Sequence, residues 1–217
     1  MRGYENGMAG DDSFERIGAT MKRAAAALRG AEVDFALAGS LATWARGGAE
    51  TSHDLDFLVR ERDAEKAVSA LEASGMRRED PPEEWLVKAW DENDVLVDVI
   101  FGPSGLEADE AIGRAEVLTV LSMDLPVMAL EDVMVTKLVA LTEHTLDYSK
   151  PLEMARALRE QIDWDAVRRR TEGSPFAAAF FVLLDGLGGR PGHAPPEPAG
   201  RVHVEVSGTP EPRGVWG

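Results

Sequence analysis

The chain has 217 residues, of which 23 are Lys or Arg and 39 are Asp or Glu, so its formal net charge is −16. Such an acidic chain does not coat nucleic acid through a general basic surface, although a local basic patch can still bind it. The absence of cysteine excludes disulfides, thiolate metal sites and cysteine nucleophiles.

Neither a secretory signal nor a membrane span is predicted. Residues 1–15 are polar and acidic with no apolar run, and the most apolar segment, residues 176–184, is far too short to cross a bilayer. We therefore expect a cytoplasmic protein that has no membrane partner.

The first part of the chain, residues 12–128, alternates between helical and strand-like periods and is predicted to form one α+β domain. An acidic turn at residues 91–94 joins two of the strands as a hairpin. The predicted helices cover 12–30, 41–46, 63–74 and 109–115, and the predicted strands cover 33–38, 54–59, 85–90, 95–101, 117–121 and 125–128.

From residue 129 to residue 187 the apolar period is helical throughout, which predicts a C-terminal helical region. The last of its helices has Ser174 as its N-cap and Pro175 at its first position. Residues 188–217 lose the period and contain six of the 12 prolines, so they predict a disordered tail. The four predicted helices cover 130–146, 151–162, 164–171 and 175–186.

Three carboxylates are candidates for chemistry. Asp54 and Asp56 lie two residues apart on a strand, so they leave the same face and repel unless a cation or a proton lies between them. Asp98 interrupts an apolar strand, where an acid is costly without a polar partner. Oxygen-only ligands indicate Mg²⁺ or Mn²⁺. Spacing alone leaves a second interpretation open, in which these acids belong to solvent-facing strand surfaces.

Gly39 and Ser40 connect a predicted strand to a predicted helix. Backbone N–H groups at such a turn can bind phosphate, although Gly and Ser also occur there for geometry alone. The order of strand, Gly-Ser turn, helix, Asp-Leu-Asp strand and later single-Asp strand is far more specific than any one of these features.

This order resembles the nucleotidyltransferase superfamily typified by DNA polymerase beta. The motif is Ala38-Gly39-Ser40, a spacer of thirteen residues, Asp54-Leu55-Asp56 and then Asp98. The resemblance extends over about residues 33–150, and it is closest to small bacterial stand-alone enzymes, including AbiEii/MenT-type toxins and minimal nucleotidyltransferases. It implies a mixed β-sheet flanked by helices.

The resemblance also implies the role of each residue in a transfer of a nucleotide from a nucleoside triphosphate (NTP). Asp54, Asp56 and Asp98 would be catalytic and would bind Mg²⁺ or Mn²⁺. The amides of Gly39 and Ser40 would hold the β- and γ-phosphates, and Lys137 would place a positive charge on the triphosphate. The alternative for Lys137 is a lysine whose stem covers apolar surface.

The acceptor and the partners stay open at the level of sequence. An RNA such as tRNA, a protein hydroxyl or a small molecule such as an aminoglycoside could accept the nucleotide, and a toxin–antitoxin partner is possible. The arginines between Arg156 and Arg170 either bind a phosphorylated acceptor or form local ion pairs. Two other classes compete with the enzyme: a non-catalytic binding module of the same fold, and an acidic interaction protein.

Overall fold

The structure is a computed structural model that describes residues 6–49 and 54–188, with side chains from Glu15 onward. The helices are α1 (Asn6–Gly30), α2 (Gly39–Trp44), α3 (Ala64–Ala73), α4 (Ala108–Gly113), α5 (Leu130–Val139), α6 (Ser149–Leu158), α7 (Trp164–Arg170) and α8 (Pro175–Gly186). The strands are β1 (Phe35–Leu37), β2 (Asp54–Val59), β3 (Arg77–Glu79), β4 (Leu86–Trp90), β5 (Leu96–Ile100), β6 (Glu116–Val120) and β7 (Met123–Val127).

The strands form one mixed sheet in the order β3-β4-β5-β2-β1-β7-β6. β2 runs parallel to β5 and antiparallel to β1, so it lies in the interior of the sheet with a partner on each side. The hairpin predicted around residues 91–94 joins β4 to β5. The predicted α+β fold with a mixed sheet and flanking helices is confirmed.

The pleat of β2 separates the core from the site. Leu55, Phe57 and Val59 point to one face and are fully buried. Asp54 and Asp56 leave the opposite face near the beginning of the strand, where Asp54 is exposed and Asp56 is partly buried. The predicted bounds of this strand are confirmed.

Several predicted elements differ from those in the structure. Helix α1 begins at Asn6 rather than near residue 12, and β3 was not predicted, because Arg77–Glu79 is a charged edge strand without apolar alternation. Helix α5 ends at Val139 rather than at residue 146. Just after it, the hydroxyl of Thr142 accepts a hydrogen bond from the backbone N–H of Thr145, and such local bonds compete with helix.

Three aromatic rings of the helical region pack together within the hydrophobic core of the chain. Trp164, Phe180 and Phe181 pack with ring centroids 5.6–6.5 Å apart. As predicted, α8 begins with Pro175, and the Ser174 hydroxyl accepts a hydrogen bond from the backbone N–H of Ala177. No helix within residues 6–49 and 54–188 is long and apolar enough to cross a membrane. The predicted disordered tail lies outside the described residues, apart from Gly188.

A buried ion cluster joins this helical region to the sheet. Asp132, in the first turn of α5, is fully buried and accepts two hydrogen bonds of 3.1 Å from Arg114, which follows α4. Arg170, at the end of α7, donates to the same carboxylate. Both partners satisfy a carboxylate that would otherwise be an uncompensated buried charge.

Removing this carboxylate therefore leaves two guanidinium groups without their shared partner. We expect Asp132→Ala to lower the free energy of unfolding by about 3 kcal/mol or more. Asp109→Ala is the matched control, because Asp109 pairs with Arg60 and Arg62 at the surface and its loss should cost less than about 1 kcal/mol. Urea unfolding followed by circular dichroism measures both, and equal losses would contradict the assignment.

Candidate active site

The register of the sheet brings the candidate carboxylates together. Asp56 on β2 lies directly beside Asp98 on β5, and Asp98 lies directly opposite Lys88 on β4. Residues paired in this way share one face of a sheet, so the three side chains form a row across adjacent strands. Asp54 is two residues before Asp56, on the same face and beside Leu96.

Asp56 is a carboxylate whose charge is poorly compensated. Burial, followed by the nearby negative charge of Asp98, raises its pKa to about 7, and Asp54 adds to this effect. The positive charges of Lys137 and Lys88 oppose the shift but do not cancel it. The fold therefore holds Asp56 where a cation or a proton is strongly favoured.

Asp98 is better compensated than Asp56. Burial raises its pKa, and the negative charges of Asp54 and Glu83 act in the same direction. The opposing contribution comes from Lys88, whose Nζ atom donates a hydrogen bond of 3.2 Å to Asp98 Oδ1. The side chains of Lys88 and Asp98 are only 23% and 13% exposed, so this ion pair is largely removed from water.

Gly39 lies against the Asp56 carboxylate. Its φ of +56° falls in the left-handed region, and a Cβ atom placed on it would overlap Oδ2 of Asp56. The backbone N–H of Ala38 also donates a 2.8 Å hydrogen bond to the carbonyl of Asp56. The positive φ and the overlap with Asp56 both require glycine at residue 39. The close contact places the turn between β1 and α2 directly beside the carboxylate row.

Ser40 follows in the first turn of α2, partly buried, and its carbonyl accepts a 2.7 Å hydrogen bond from the Thr43 hydroxyl. Lys137 lies on α5, and α5 packs against α2. Burial lowers the pKa of Lys137, whereas the negative charge of Asp56 raises it. The structure thus brings Gly39, Ser40 and Lys137 to the same place as Asp56.

The carboxylates can be tested for their fit to a divalent cation. Within residues 6–49 and 54–188, no three His, Cys, Asp or Glu side chains converge closely enough to hold a metal by themselves. Asp54 and Asp56 nevertheless share one face of β2, and Asp56 lacks the positive charge that would keep its carboxyl fully ionised at pH 7. These oxygens fit Mg²⁺ or Mn²⁺ bound by one or two carboxylates, with phosphate oxygens and water as the other ligands.

Lys88 was not identified as a site residue from the sequence. The predicted hairpin could have indicated it, because a turn centred near residue 93 pairs residue 88 with residue 98. A continuous helix would bring His144 and Asp147 to the face of Lys137, but helix α5 ends at Val139 and both residues lie in the exposed loop beyond it.

The basic stretch between Arg156 and Arg170 forms local contacts within the helical region. Arg168 lies over the ring of Phe181, 4.2 Å from its centroid, and pairs with Asp185 at 3.5 Å. Arg170 is bound to Asp132. Two of the five arginines are therefore engaged in packing the helices together.

The comparisons with known proteins agree with this geometry. The model of a family described as "uncharacterised nucleotidyltransferase" matches residues 47–185. This match spans more than half of the chain, so the chain belongs to that family and is a nucleotidyltransferase. The predicted superfamily is thereby confirmed. The match includes the three candidate carboxylates, Lys88 and Lys137, and it begins after Gly39 and Ser40. No curated protein is significantly similar to the sequence.

Several solved structures share the fold. The solution structure of the antibiotic-resistance factor ANT(2'')-Ia is 14% identical, with a TM-score of 0.56, and the alignment covers 81% of this chain and 98% of that chain. A crystal structure of ANT(2'')-Ia with adenylyl-2''-tobramycin is 17% identical with a TM-score of 0.47, and the alignment covers 76% of this chain and 97% of that chain. The structure of the lincosamide adenylyltransferase LnuA with lincomycin is 12% identical with a TM-score of 0.42, and the alignment covers 58% of this chain and 87% of that chain. At these sequence identities the similarity concerns the fold alone. The conclusion that the fold is shared depends on the solution structure of ANT(2'')-Ia.

The contact between Gly39 and Asp56 leads to a prediction. We expect Gly39→Ala to displace the Asp56 carboxylate and to lower nucleotide transfer at least about tenfold, with a loss of about 1–3 kcal/mol in stability from the strained backbone. Gly113→Ala is the control, because nothing lies within 4 Å of its Cβ position and its φ is ordinary. Transfer rates and urea unfolding measure both variants. An active Gly39→Ala enzyme would show that the contact does not matter.

Proposed function

We propose that the chain catalyses a divalent-metal-dependent transfer of a nucleoside monophosphate from an NTP to a hydroxyl group. The observation that carries this proposal is the row of Asp56 and Asp98 beside the glycine turn, because it combines paired carboxylates with the first turn of a helix at a strand–helix junction. Membership of a nucleotidyltransferase family supports the reaction class. A non-catalytic module would have no need of a buried, poorly compensated carboxylate.

The reaction is an in-line displacement at the α-phosphorus. The acceptor oxygen forms a bond to phosphorus, the bond to the β-bridging oxygen breaks, and pyrophosphate leaves. A bound Mg²⁺ or Mn²⁺ supplies charge neutralisation for the attacking and leaving oxygens. Asp54 and Asp56 would hold the ion, Asp98 would take the proton of the acceptor hydroxyl, and Lys137 would bind a phosphate oxygen. The backbone of Gly39 and Ser40 would bind the β- and γ-phosphates.

Charge around the site favours a small hydroxylated acceptor that is neutral or cationic, such as an aminoglycoside. Residues 77–98, which include β3, β4 and the start of β5, carry three basic and eight acidic side chains. A polyanion such as tRNA would meet repulsion at this edge, and Arg168 and Arg170 on the helical side already have acidic partners. RNA, protein and toxin–antitoxin partners are the alternatives, and a cytoplasmic location stays a prediction.

Direct labelling tests the proposal. The full-length protein is incubated with Mg²⁺ and each of four α-³²P-labelled NTPs, together with an aminoglycoside mixture, total RNA or a protein lysate. We expect label in the small-molecule fraction with one preferred NTP, and loss of at least about a thousandfold of that label in Asp56→Asn, because the cation and the phosphates lose their anchor.

Asp109→Asn is the matched control, since it changes a surface carboxylate away from the row and should keep full activity. Label in RNA or protein would replace the small-molecule acceptor by one of the alternatives. No label in any fraction, or undiminished transfer by Asp56→Asn, would contradict the catalytic proposal.

A further inference from the structure

Asp56, Asp98 and Lys88 form the row across adjacent strands, and Lys88 is the one of these three that the proposed reaction does not use. It lies between two acidic neighbours: Glu79 on β3 is paired with it on one side, and Asp98 on β5 is paired with it on the other. Together with Asp56 on β2, these residues form a line of four charges across four strands. The ammonium is thus the only positive charge in that line.

The hairpin holds this ammonium in place. At the turn between β4 and β5, buried Asp91 accepts hydrogen bonds from the backbone N–H groups of Asn93 at 2.8 Å and of Val95 at 2.9 Å. Its other oxygen accepts from the hydroxyl of Thr20 on α1. Because these contacts fix the turn, they fix the register that sets Lys88 opposite Asp98. The ion pair is therefore a built feature of the fold rather than an incidental surface contact.

The position of Lys88 coincides with the place where a second cation is expected. Two-metal sites clamp the attacking and leaving oxygens with cations about 3.5–4 Å apart, so one of the two cations lies on the acceptor side. In the reaction proposed above the carboxylate on that side is Asp98, and an ammonium already lies 3.2 Å from its Oδ1 atom. Within the described ranges, no group of three acidic or histidine side chains could hold a metal, so a second ion would depend on Asp98, whose Oδ1 atom Lys88 already contacts.

We infer that the Lys88 ammonium is the resident second cation of this site, so that the enzyme binds one divalent ion, at Asp54 and Asp56, instead of two. Lys88 is then a positioning residue: it holds Asp98 in its orientation toward the acceptor and occupies the place that a metal would need at the Oδ1 atom. This inference rests on the proposed nucleotidyl transfer and specifies the cations that accompany it.

Counting bound metal tests the inference without measuring activity. The full-length protein is placed in equilibrium dialysis against Mn²⁺ and an equimolar mixture of the four α,β-methylene NTPs, and the manganese and the nucleotide retained with the protein are both measured. We expect one Mn²⁺ per chain for the wild type and for Lys88→Arg, which keeps the charge. We expect two for Lys88→Met, because the loss of the ammonium frees Asp98 for a second ion.

Lys66→Met is the matched control, since Lys66 is exposed on α3, away from the row, and donates to the carbonyl of Glu32, so it should also retain one ion. Thermal unfolding of each variant verifies that the fold is intact. Two ions in the wild type, or one in a folded Lys88→Met protein, would overturn the inference while leaving nucleotidyl transfer standing. A wild type that retains neither manganese nor nucleotide would overturn both.

Discussion

The structure of the site depends on the repulsion between two carboxylates that the sheet forces together. Asp56 and Asp98 lie side by side on parallel strands, and burial keeps water from screening their charges. A sheet register cannot relax by a fraction of a residue, so the backbones that carry the two groups cannot move apart. Two lysines oppose this repulsion: Lys88 contacts Asp98, and Lys137 acts on Asp56 from α5. Asp54 adds to the repulsion, and the glycine turn leaves the space that the Asp56 carboxylate occupies.

The same constraint explains why helix α5 is anchored so firmly. Lys137 can oppose the charge of Asp56 only if α5 holds a constant distance from β2, and the first turn of that helix is fixed by Asp132 with Arg114 and Arg170. Arg170, which the sequence suggested as part of a binding surface for a phosphorylated acceptor, thus contributes to the rigidity of the site. The acidity of the chain has a corresponding consequence, because an acceptor that reaches Asp98 along the β3–β5 edge meets negative charge.

Much of this could be predicted from local sequence. The alternation of β2, the cap of α8 and the Gly-Ser turn each follow from a few neighbouring residues, and together they indicated the fold and the superfamily. Lys88 could not be found in that way, because its role depends on pairing between strands rather than on its neighbours in the chain. The predicted end of α5 was also wrong. The apolar period alone would continue the helix, but the hydroxyl of Thr142 accepts a hydrogen bond that competes with it. The roles of the six candidate site residues stay predictions.

The central claim is that a divalent cation relieves the repulsion at Asp56, and unfolding free energies test it directly. The pKa of Asp56 is about 7 in the folded chain and near 4 when unfolded, so stability without metal falls as pH rises from about 4 to 7. At pH 8 we therefore predict that Mg²⁺ raises the urea unfolding free energy of the wild type, has little effect at pH 5, and has little effect on Asp56→Asn at either pH. Equal stabilisation of the wild type and Asp56→Asn at pH 8, or none in either, would contradict the account.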